Sequence, residues 1–586
     1  MATPQRSNAL PRLFSGLRAA WRDGYTLTNL RQDILAGLTI GTVALPLSMA
    51  LAIATGVPPQ HGLYTAIIAG AIIALTGGSR YNVSGPTAAF VVILFPIVQQ
   101  YGLGGLLVAT MMAGVILIGL GLARMGRLIQ FVPHPVILGF TAGIAVVIAA
   151  LQLPDFLGLT TAALGEHFTS NMAEIYRALP TINYLELCVG VFTLGLLLIW
   201  PKLNIPIPAP LVGLVAAALL AYVINHYFAT DGSRLIETIA SRFTWTANGE
   251  VGQGIPPIPP TFVAPWTLPG PDGEPLRIPF ELISNLAGPA FAIAMLGAIE
   301  SLMCAVVADG LTKTKHDPNA ELIGQGLGNI AAPLFGGITA TAALARTATN
   351  IRSGARSPIA AIVHSLVVLL AVVALAGLLG LVPMAALAAL LFIIAWNMSE
   401  ARHFVRTLQT APGGDVAILL VCFGLTVLFD MVLAVAVGIG LAGALFIQRM
   451  ANLTSTQTHH NEAHPATQGL PPSVMVYDVN GPLFFGVAEK ALTALERVEG
   501  SIHTLILDMH DVPSIDGTAL NALHSLVVEL QRQKIKVILV GLPARMVVKL
   551  SRAGIEKQPG LLAYCRNLTH ARDVAERWLI QDSVKE

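Results

Sequence analysis

Charged side chains are scarce in this chain. Asp, Glu, Lys and Arg make up only 11% of its 586 residues, whereas soluble domains average about 25%. Hydrophobic residues reach 54%. This composition excludes an ordinary soluble protein and predicts one that crosses the lipid bilayer several times. The net charge of +1 gives no reason to expect a nucleic-acid partner.

Cysteine is also rare, and common enzyme motifs are missing. Neither the phosphate-binding motif G-x-x-x-x-G-K-[ST] nor the zinc-protease motif H-E-x-x-H occurs, which excludes a nucleotide-driven motor and a zinc protease. The four cysteines are far apart in sequence and match no metal-binding spacing. They are Cys188, Cys304, Cys422 and Cys565. We expect no metal, no cofactor and no enzymatic activity.

Long apolar segments dominate what is present. A bilayer core of about 30 Å takes ~20 mostly apolar residues in a helix. Fourteen apolar segments occur here, in two sets of seven separated by a polar, proline-rich insert at 229–280. They lie at 34–55, 62–76, 84–99, 103–122, 133–152, 182–200, 207–228, 281–307, 320–335, 340–352, 358–380, 382–397, 414–430 and 432–449.

Basic residues predict the orientation of these spans, because cytoplasmic loops carry an excess of Lys and Arg. With the N-terminus inside, the cytoplasmic loops receive Arg80, Arg124, Arg127, Lys202, Lys313, Lys315, Arg352, Arg356, Arg402 and Arg406. Since seven is odd, the second set must run inverted relative to the first. We predict a polytopic α-helical membrane protein with 14 spans within residues 34–450. They form a 7+7 inverted repeat, and both termini are cytoplasmic.

One stretch, residues 329–358, does not have the pattern of an ordinary span. Pro333 and the pair Gly336-Gly337 break its first part, and three arginines punctuate its second part. Residues 75–96 have the same arrangement of a glycine pair, a short extended run and a half-length helix. Broken segments at membrane depth are tolerated only where they line a cavity or are buried in protein.

The two broken segments occupy corresponding positions in the two halves. Placing Gly77-Gly78 on Gly336-Gly337 puts Pro86 on Ala345 and Thr87 on Arg346. Such paired interruptions are typical of the binding site of a transporter. The alternative is a pair of kinked helices whose glycines serve packing.

Each broken segment would present a helix N-terminus at the membrane midplane. Ser84 is placed to cap the first helix, and Pro86 suits its first turn. Free backbone N–H groups at a helix start, together with the helix dipole, favour an anion. The groups expected to be free belong to Thr87, Ala88 and Ala89 in the third span, and to Ala342, Ala343 and Leu344 in the tenth.

Two charged residues lie at membrane depth, where a charge is expensive and marks a functional hypothesis. Arg346 stands one turn inside the tenth span, and its planar fork suits a carboxylate, either of the substrate or of Glu300. Glu300 stands in the middle of the eighth span. It would exchange a proton during transport or, alternatively, form a permanent structural pair with Arg346.

The two ends of the chain differ from its middle. Residues 1–33 combine arginines with apolar side chains at helical spacing, which predicts a cytoplasmic amphipathic helix on the membrane surface. Residues 451–472 are polar and predict a linker. In 473–586, three strand-like runs alternate with helical patterns, which predicts a small α/β domain. The helical patterns lie at 487–498, 517–533, 543–552 and 572–580.

Several motifs resemble one known family. The stretch LPLSMALAIATGVPPQHGLY at 45–64 looks like the signature of the SulP sulfate-permease family of anion transporters. TGGSRYNVSGPTA, NAELIGQGLGNIAAPLFGG and ARTATNIRSGARSP resemble other blocks of that family, and 473–586 resembles its STAS domain. Through AMLGAIESLMCAVVADG and LLFIIAWNMSEA, the chain looks most like bacterial members that carry four-carbon dicarboxylates.

The resemblance implies a core and a gate that move by an elevator-like mechanism, and a homodimer. It also implies that the third, eighth and tenth spans bind the anion and the coupling ion. The substrate-binding residues so implied are Thr87, Ala88, Ala343, Leu344 and Arg346, and the coupling-ion residue is Glu300. Many sulfate-type members have Gln directly after the first-span proline and an aromatic residue four positions on. Leu47 and Leu51 occupy these places here, which weakens sulfate as substrate.

We therefore predict a proton-coupled symporter of the bacterial inner membrane that imports a small organic anion such as succinate, fumarate or aspartate. The alternatives are a sulfate or bicarbonate transporter, with Na⁺ as another coupling ion, and a passive anion channel or exchanger. A channel needs no titratable coupling residue, so Glu300 argues against it.

The STAS-like domain adds one regulatory expectation. Asp516 is placed as a helix cap, and Thr518 falls where anti-sigma-antagonist relatives carry a phosphorylated serine. Capping alone explains both residues, so phosphorylation at Thr518, or binding of a cytosolic protein, is the lesser alternative.

Overall fold

The computed structural model describes residues 13–129, 132–162, 164–165, 167–203, 205, 207–228, 235–247, 249–268, 279–429, 431–453, 455–459, 471–483 and 502–583. By their contacts the residues form two compact units, Met1–Gly440 and Leu441–Glu586. The predicted helix at 487–498 lies outside the described residues, as do the first twelve residues and much of the predicted linker.

Helices, most of them apolar, make up the first unit, and its boundary at Gly440 falls within the last of them. They are α1 (Ser15–Arg22), α2 (Leu27–Ala54), α3 (Pro59–Thr76), α4 (Val91–Leu122), α5 (Gly126–Ile129), α6 (His134–Leu157), α7 (Phe168–Ala178), α8 (Tyr184–Ile199), α9 (Ala209–Tyr227), α10 (Ile239–Arg242), α11 (Phe280–Thr312), α12 (Pro318–Ala331), α13 (Leu344–Arg352), α14 (Ile359–Leu379), α15 (Met384–Ser399), α16 (Ala401–Thr410), α17 (Gly413–Leu428) and α18 (Met431–Leu453). Four short strands join them: β1 (Ser84–Gly85), β2 (Thr244–Ala247), β3 (Glu250–Gln253) and β4 (Thr341–Ala342).

Eight helices in the described part of the chain are long and apolar enough to cross a membrane. One of these runs from Ala88 to Leu122 and joins the predicted third and fourth spans across Gly102, whose φ of 67° interrupts the helix. The broken tenth segment is much shorter. Helix α13 has 9 residues, about 14 Å at a rise of ~1.5 Å per residue, which is half a bilayer core.

The helix packing repeats with pseudo-twofold symmetry. Helix α2 packs on α14 as α11 packs on α4, and α3 packs on α14 as α12 packs on α4. Likewise, α6 packs on α17 as α15 packs on α8. In each comparison, replacing both helices of the first packed pair by the spans seven places away in the chain gives the second packed pair. The predicted inverted repeat is therefore confirmed. The first four spans pack with the eighth to eleventh, and the remaining spans form a second group.

The predicted N-terminal helix is fastened to the protein. The backbone N–H groups of Phe14 and Gly16 donate to the carbonyls of Thr76 and Gly77 at the end of α3, at 3.1 and 3.3 Å. A Cβ on Gly16 would lie 2.5 Å from the Ser79 carbonyl oxygen, so this close approach requires glycine. Asp23 forms an ion pair with Arg80 at 2.6 Å. Backbone hydrogen bonds and an ion pair therefore dock this helix, while Phe14 and Trp21 of its apolar pattern remain exposed.

A buried carboxylate holds the loop that leads to the first half-helix. Glu321, 1% exposed on α12, accepts the N–H groups of Gly78 and Ser79 at 2.9 Å through one oxygen. Its other oxygen accepts from Asn82 Nδ2 at 2.8 Å. Burying a carboxylate is tolerated only when hydrogen bonds replace its water, and this network supplies them.

Glu321→Gln is expected to lower the thermal stability of the protein. The amide NH₂ replaces an acceptor with a donor, so at least one loop donor loses its partner, at about 1.5–3 kcal/mol per charged hydrogen bond. Thermal unfolding in detergent measures the effect. Glu250→Gln on the exposed hairpin is the control, and equal melting temperatures for both variants would contradict the assignment.

The insert between the two halves packs against the ends of two helices of the first unit. Arg242 of α10 forms ion pairs with Asp155 at 2.7 Å and with Glu237. The Ile239 N–H donates to the Val382 carbonyl at 3.0 Å. Together these contacts tie the insert to α6 and to the start of α15.

The second unit contains a five-stranded sheet in the order β5-β6-β7-β8-β9, antiparallel between β5 and β6 and otherwise parallel. Its elements are β5 (Ser455–His459), β6 (Val474–Asn480), β7 (Thr504–Asp508), α19 (Gly517–Arg532), β8 (Lys536–Val540), α20 (Ala544–Arg552), β9 (Leu562–Cys565) and α21 (Leu568–Ser583). The α/β prediction is confirmed, although two of the five strands, β5 and β9, were not predicted.

Two details of this unit bear on the predictions. Residues 455–459, expected to belong to a linker, form the edge strand β5, because Ser- and Thr-rich polar sequence is compatible with a strand that pairs on one side only. Asp516 caps α19 as predicted, since its Oδ1 accepts the Ala519 N–H at 2.8 Å. Thr518 is exposed in the first turn.

Candidate functional site

The two broken segments meet in the middle of the first unit. Strands β1 and β4 pair antiparallel, with Ser84 opposite Ala342 and Gly85 opposite Thr341, and all four residues are buried. A short 3-10 helix, Ala88–Phe90, leads from β1 into α4, and α13 follows β4 directly. Two helices therefore begin beside this pair of short strands, the crossing of the two broken segments.

The crossing corrects the predicted alignment of the two halves. A twofold axis between the two antiparallel strands exchanges the pair Ser84–Ala342 with the pair Thr341–Gly85, so Ser84 is equivalent to Thr341. Counting three residues on from each, Thr87 is equivalent to Leu344. The glycine-pair alignment had placed Thr87 on Arg346. It was wrong by two residues because the loop from the glycine pair to the strand is longer in the first half than in the second.

The helix starts lie slightly further along the chain than predicted. Ser84 is not a cap: it is part of β1, and its hydroxyl accepts from Gln325 Nε2 at 3.1 Å. Thr87 occupies the cap position in an extended conformation. The N–H groups of Ala88 and Ala89 come next, with no intrahelical partner and none among the described residues.

The second helix start requires a correction to the predicted donors. The Ala342 N–H donates to Ser301 Oγ at 3.3 Å, and the Ala343 N–H donates to the Val83 carbonyl at 3.0 Å. The Ser301 hydroxyl and the backbone of the first broken segment therefore occupy these two donors, so neither is available to an anion. The first unpartnered N–H groups of α13, among the described residues, belong to Leu344 and Ala345. Both residues are exposed.

Arg346 reaches across from one half-helix to the other. It is only 4% exposed, and its Nη2 donates to the Pro86 carbonyl at 2.5 Å. The predicted alternative of an ion pair with Glu300 is not realised. Nη1 is buried without a hydrogen-bond partner among the described residues, which leaves a donor available at the crossing.

Glu300 lies at the first helix start. Its Oε2 accepts from Thr87 Oγ1 at 3.1 Å, and its side chain is half-buried on α11. The structure thus brings together Thr87, Ala88, Glu300, Leu344 and Arg346. Ala343 lies beside them, but its N–H is bonded to the Val83 carbonyl and cannot bind an anion.

Polar residues that sequence reasoning missed hold this arrangement. Ser301, next to Glu300, shares a 2.6 Å hydrogen bond with Thr341 Oγ1. Asn329 accepts the Ala340 N–H at 2.8 Å and donates to its carbonyl at 2.9 Å. Thr347 Oγ1 accepts the Val83 N–H at 3.1 Å. Small polar residues inside apolar spans are the signal that would have found them.

The loop before the second half-helix is held by α3, much as Glu321 of α12 holds the loop before the first. His61 Nδ1 lies 2.6 Å from the Gly336 carbonyl oxygen, and Thr65 Oγ1 donates to the Ile338 carbonyl at 3.1 Å. Each repeat therefore secures the broken helix of the other.

Comparison with known proteins identifies the family. Residues 30–422 match the profile of the Sulfate permease family, and residues 467–565 match that of the STAS domain. The chain belongs to the sulfate permease family. As a member, it is a membrane-embedded anion transporter and not an enzyme.

Relatives in this family span almost the whole chain. The putative sulfate transporter YvdB of Bacillus subtilis is 42% identical over 534 residues, which cover 91% of this chain and 95% of that protein. The bicarbonate transporter BicA of Picosynechococcus is 30% identical, with 90% and 92% covered.

Solved structures support the same fold. The murine Slc26a9 anion transporter in its inward-facing state has a TM-score of 0.78 at 20% identity, covering 92% of this chain and 90% of that one. The transmembrane domain of a cyanobacterial BicA has a TM-score of 0.57 at 27% identity, covering 71% and 98%.

Proposed function

We propose that this sulfate permease family member carries a small inorganic oxyanion, bicarbonate or sulfate, in a site between the starts of its two half-helices. The observation that carries the proposal is that the N–H groups of Ala88 and Leu344 and the Nη1 of Arg346 lie at the same strand pair and have no partner within the described part of the chain. Backbone donors and a guanidinium are the groups that recognise oxyanions.

Charge balance limits what this site holds. Arg346 contributes one positive charge, and the two helix N-termini add about half a charge each. An ionised Glu300 subtracts one, leaving roughly +1. A monoanion such as bicarbonate matches the site with Glu300 ionised. A dianion such as sulfate matches it when Glu300 has taken up a proton or faces a bound Na⁺.

Glu300 is accordingly the proposed coupling residue, with a proton as the primary ion and Na⁺ as the alternative. A second negative charge placed beside a carboxylate favours its protonated form. Thr87 links Glu300 to the first helix start, so the ion and the anion would occupy adjacent positions.

A four-carbon dicarboxylate is the second candidate substrate. The chain lacks the first-span Gln of many sulfate-type members and has Leu47 there, and a dicarboxylate satisfies the same charge balance as sulfate. The relatives named above favour the inorganic anions, which the sequence argument had held as the alternative.

The decisive experiment is uptake by the full-length protein in proteoliposomes. Labelled bicarbonate, sulfate and succinate are compared under imposed pH and Na⁺ gradients. We expect saturable uptake of bicarbonate or sulfate that excess succinate does not suppress. Succinate uptake with neither inorganic anion carried would overturn the proposal. A flux that never exceeds equilibrium would instead indicate a passive channel.

Thr87→Val is expected to have a mild effect. Its hydroxyl contributes one hydrogen bond, worth about 0.5–1.5 kcal/mol, while the backbone donors remain. Uptake efficiency should fall roughly two- to tenfold, and Thr87→Ser should restore it. A loss beyond a hundredfold would show that the hydroxyl is itself a principal ligand.

The wider arrangement is also a proposal. The distribution of Lys and Arg supports an orientation with both termini cytoplasmic, and the bacterial relatives support a bacterial inner membrane. The two packed helix groups suit an elevator-like movement of one against the other, in a homodimer. The exposed Thr518 at a helix N-terminus is suited to phosphorylation, which a helix dipole stabilises, or to contact with a cytosolic protein.

A further inference from the structure

An apolar groove lies on the second helix group, away from the anion site. Its volume is about 500 Å³, within the range of about 300–1,000 Å³ of ligand pockets. Ala142, Ala145 and Ala149 of α6 form its floor, and Trp396, Phe404 and Phe423 form part of its walls. The alanines recur along one face of α6, so the concavity results from a row of small side chains.

The groove is elongated along α6. Ala142 and Ala149 are seven residues apart, about 10 Å along a helix. At one end it reaches the amphipathic helix α16, where the rings of Phe404 and Phe423 lie 5.4 Å apart. From there it runs along α6 away from its start at His134, towards the middle of the span. Such a groove suits an extended hydrocarbon chain.

Basic side chains gather at the α16 end. None of the residues of α16 is buried, and Arg402 and Arg406 are exposed on one side of it. His403 lies 5.0 Å from His134, ring to ring. Glu400, 3.3 Å from His403, is the one acidic residue of 400–410 against two arginines, so this end of the groove has a net positive charge.

We propose that the groove binds an anionic phospholipid, with an acyl chain along α6 and the headgroup phosphate between Arg402 and Arg406. Arginine forks match phosphate oxygens, and juxtamembrane basic residues attract anionic lipids. Trp396, 67% exposed, suits the membrane interface. Charge complementarity argues against a second copy of this chain as the occupant, because the same face of a copy would bring like charges together.

Native mass spectrometry of the full-length protein, mixed with phosphatidylglycerol or phosphatidylcholine, tests this. We expect preferential retention of phosphatidylglycerol by the wild type. The double variant R402Q/R406Q should lose that preference, by about fivefold per arginine. A145F, which fills the groove, should reduce retention of both lipids. K202Q, on another exposed basic residue, and V215F, on another exposed face, should behave as wild type.

Two outcomes would overturn the proposal. One is equal retention of the two lipids by the wild type, or a preference that survives in R402Q/R406Q. The other is a change from dimer to monomer in A145F with lipid retention unaltered, which would place a second copy of the chain in the groove. Because the assay measures bound lipid, its result is independent of which anion is transported.

Discussion

Glu300→Gln is expected to abolish accumulation driven by a pH gradient while sparing binding and exchange. Glutamine has the shape of the protonated acid and still accepts the hydrogen bond from Thr87. The site therefore keeps the charge that suits a dianion, but it no longer takes up or releases a proton. Uptake of labelled sulfate into proteoliposomes with an acidic outside measures accumulation, and counterflow measures exchange.

The control for this variant is Glu281→Gln, an exposed carboxylate on the same helix, which should accumulate like the wild type. If Glu300→Gln still concentrates sulfate after an outside-acid pulse, Glu300 is not the proton site. If wild-type uptake follows Na⁺ and ignores pH, the same carboxylate is a cation ligand instead.

Gly85→Ala is expected to reduce transport roughly 10- to 150-fold while the protein still folds. The added Cβ would lie 2.6 Å from Arg346 Nη1, so the guanidinium must move from its place against Pro86. Losing one charged hydrogen bond costs about 1.5–3 kcal/mol, which corresponds to this range in uptake efficiency. The clash involves the end of a long side chain and not backbone, so the fold accommodates it.

Two glycine variants separate function from folding. Gly119→Ala has open space around the new methyl group and should transport normally. Gly62→Ala would place a Cβ 2.0 Å from the Ser48 carbonyl oxygen and should lower the melting temperature. A Gly85→Ala protein that transports normally would show that the observed position of Arg346 is not required. One that melts like Gly62→Ala would assign Gly85 to packing.

The sequence alone determined the fold class and the approximate place of the site. The chain has few charged residues and fourteen apolar segments. Because backbone N–H and C=O groups in lipid must be hydrogen-bonded within the protein, such segments are expected to form membrane-spanning helices. The interruptions at Gly77 and Gly336 predicted two half-helices. Broken helices and arginines at membrane depth carry a cost in free energy, so they are expected mainly where they form a functional site. Alternating strand and helix patterns similarly predicted the α/β unit.

The tertiary structure decided which donors remain free. Pairing of β1 with β4 shifts the alignment of the halves by two residues and consumes the N–H of Ala343. It also directs Arg346 to the Pro86 carbonyl and not to Glu300. Sequence periodicity describes one segment at a time, whereas each of these contacts joins residues about 260 positions apart. Which of two chemically suitable partners a buried group chooses depends on how the two halves pack, and only the folded chain contains that information.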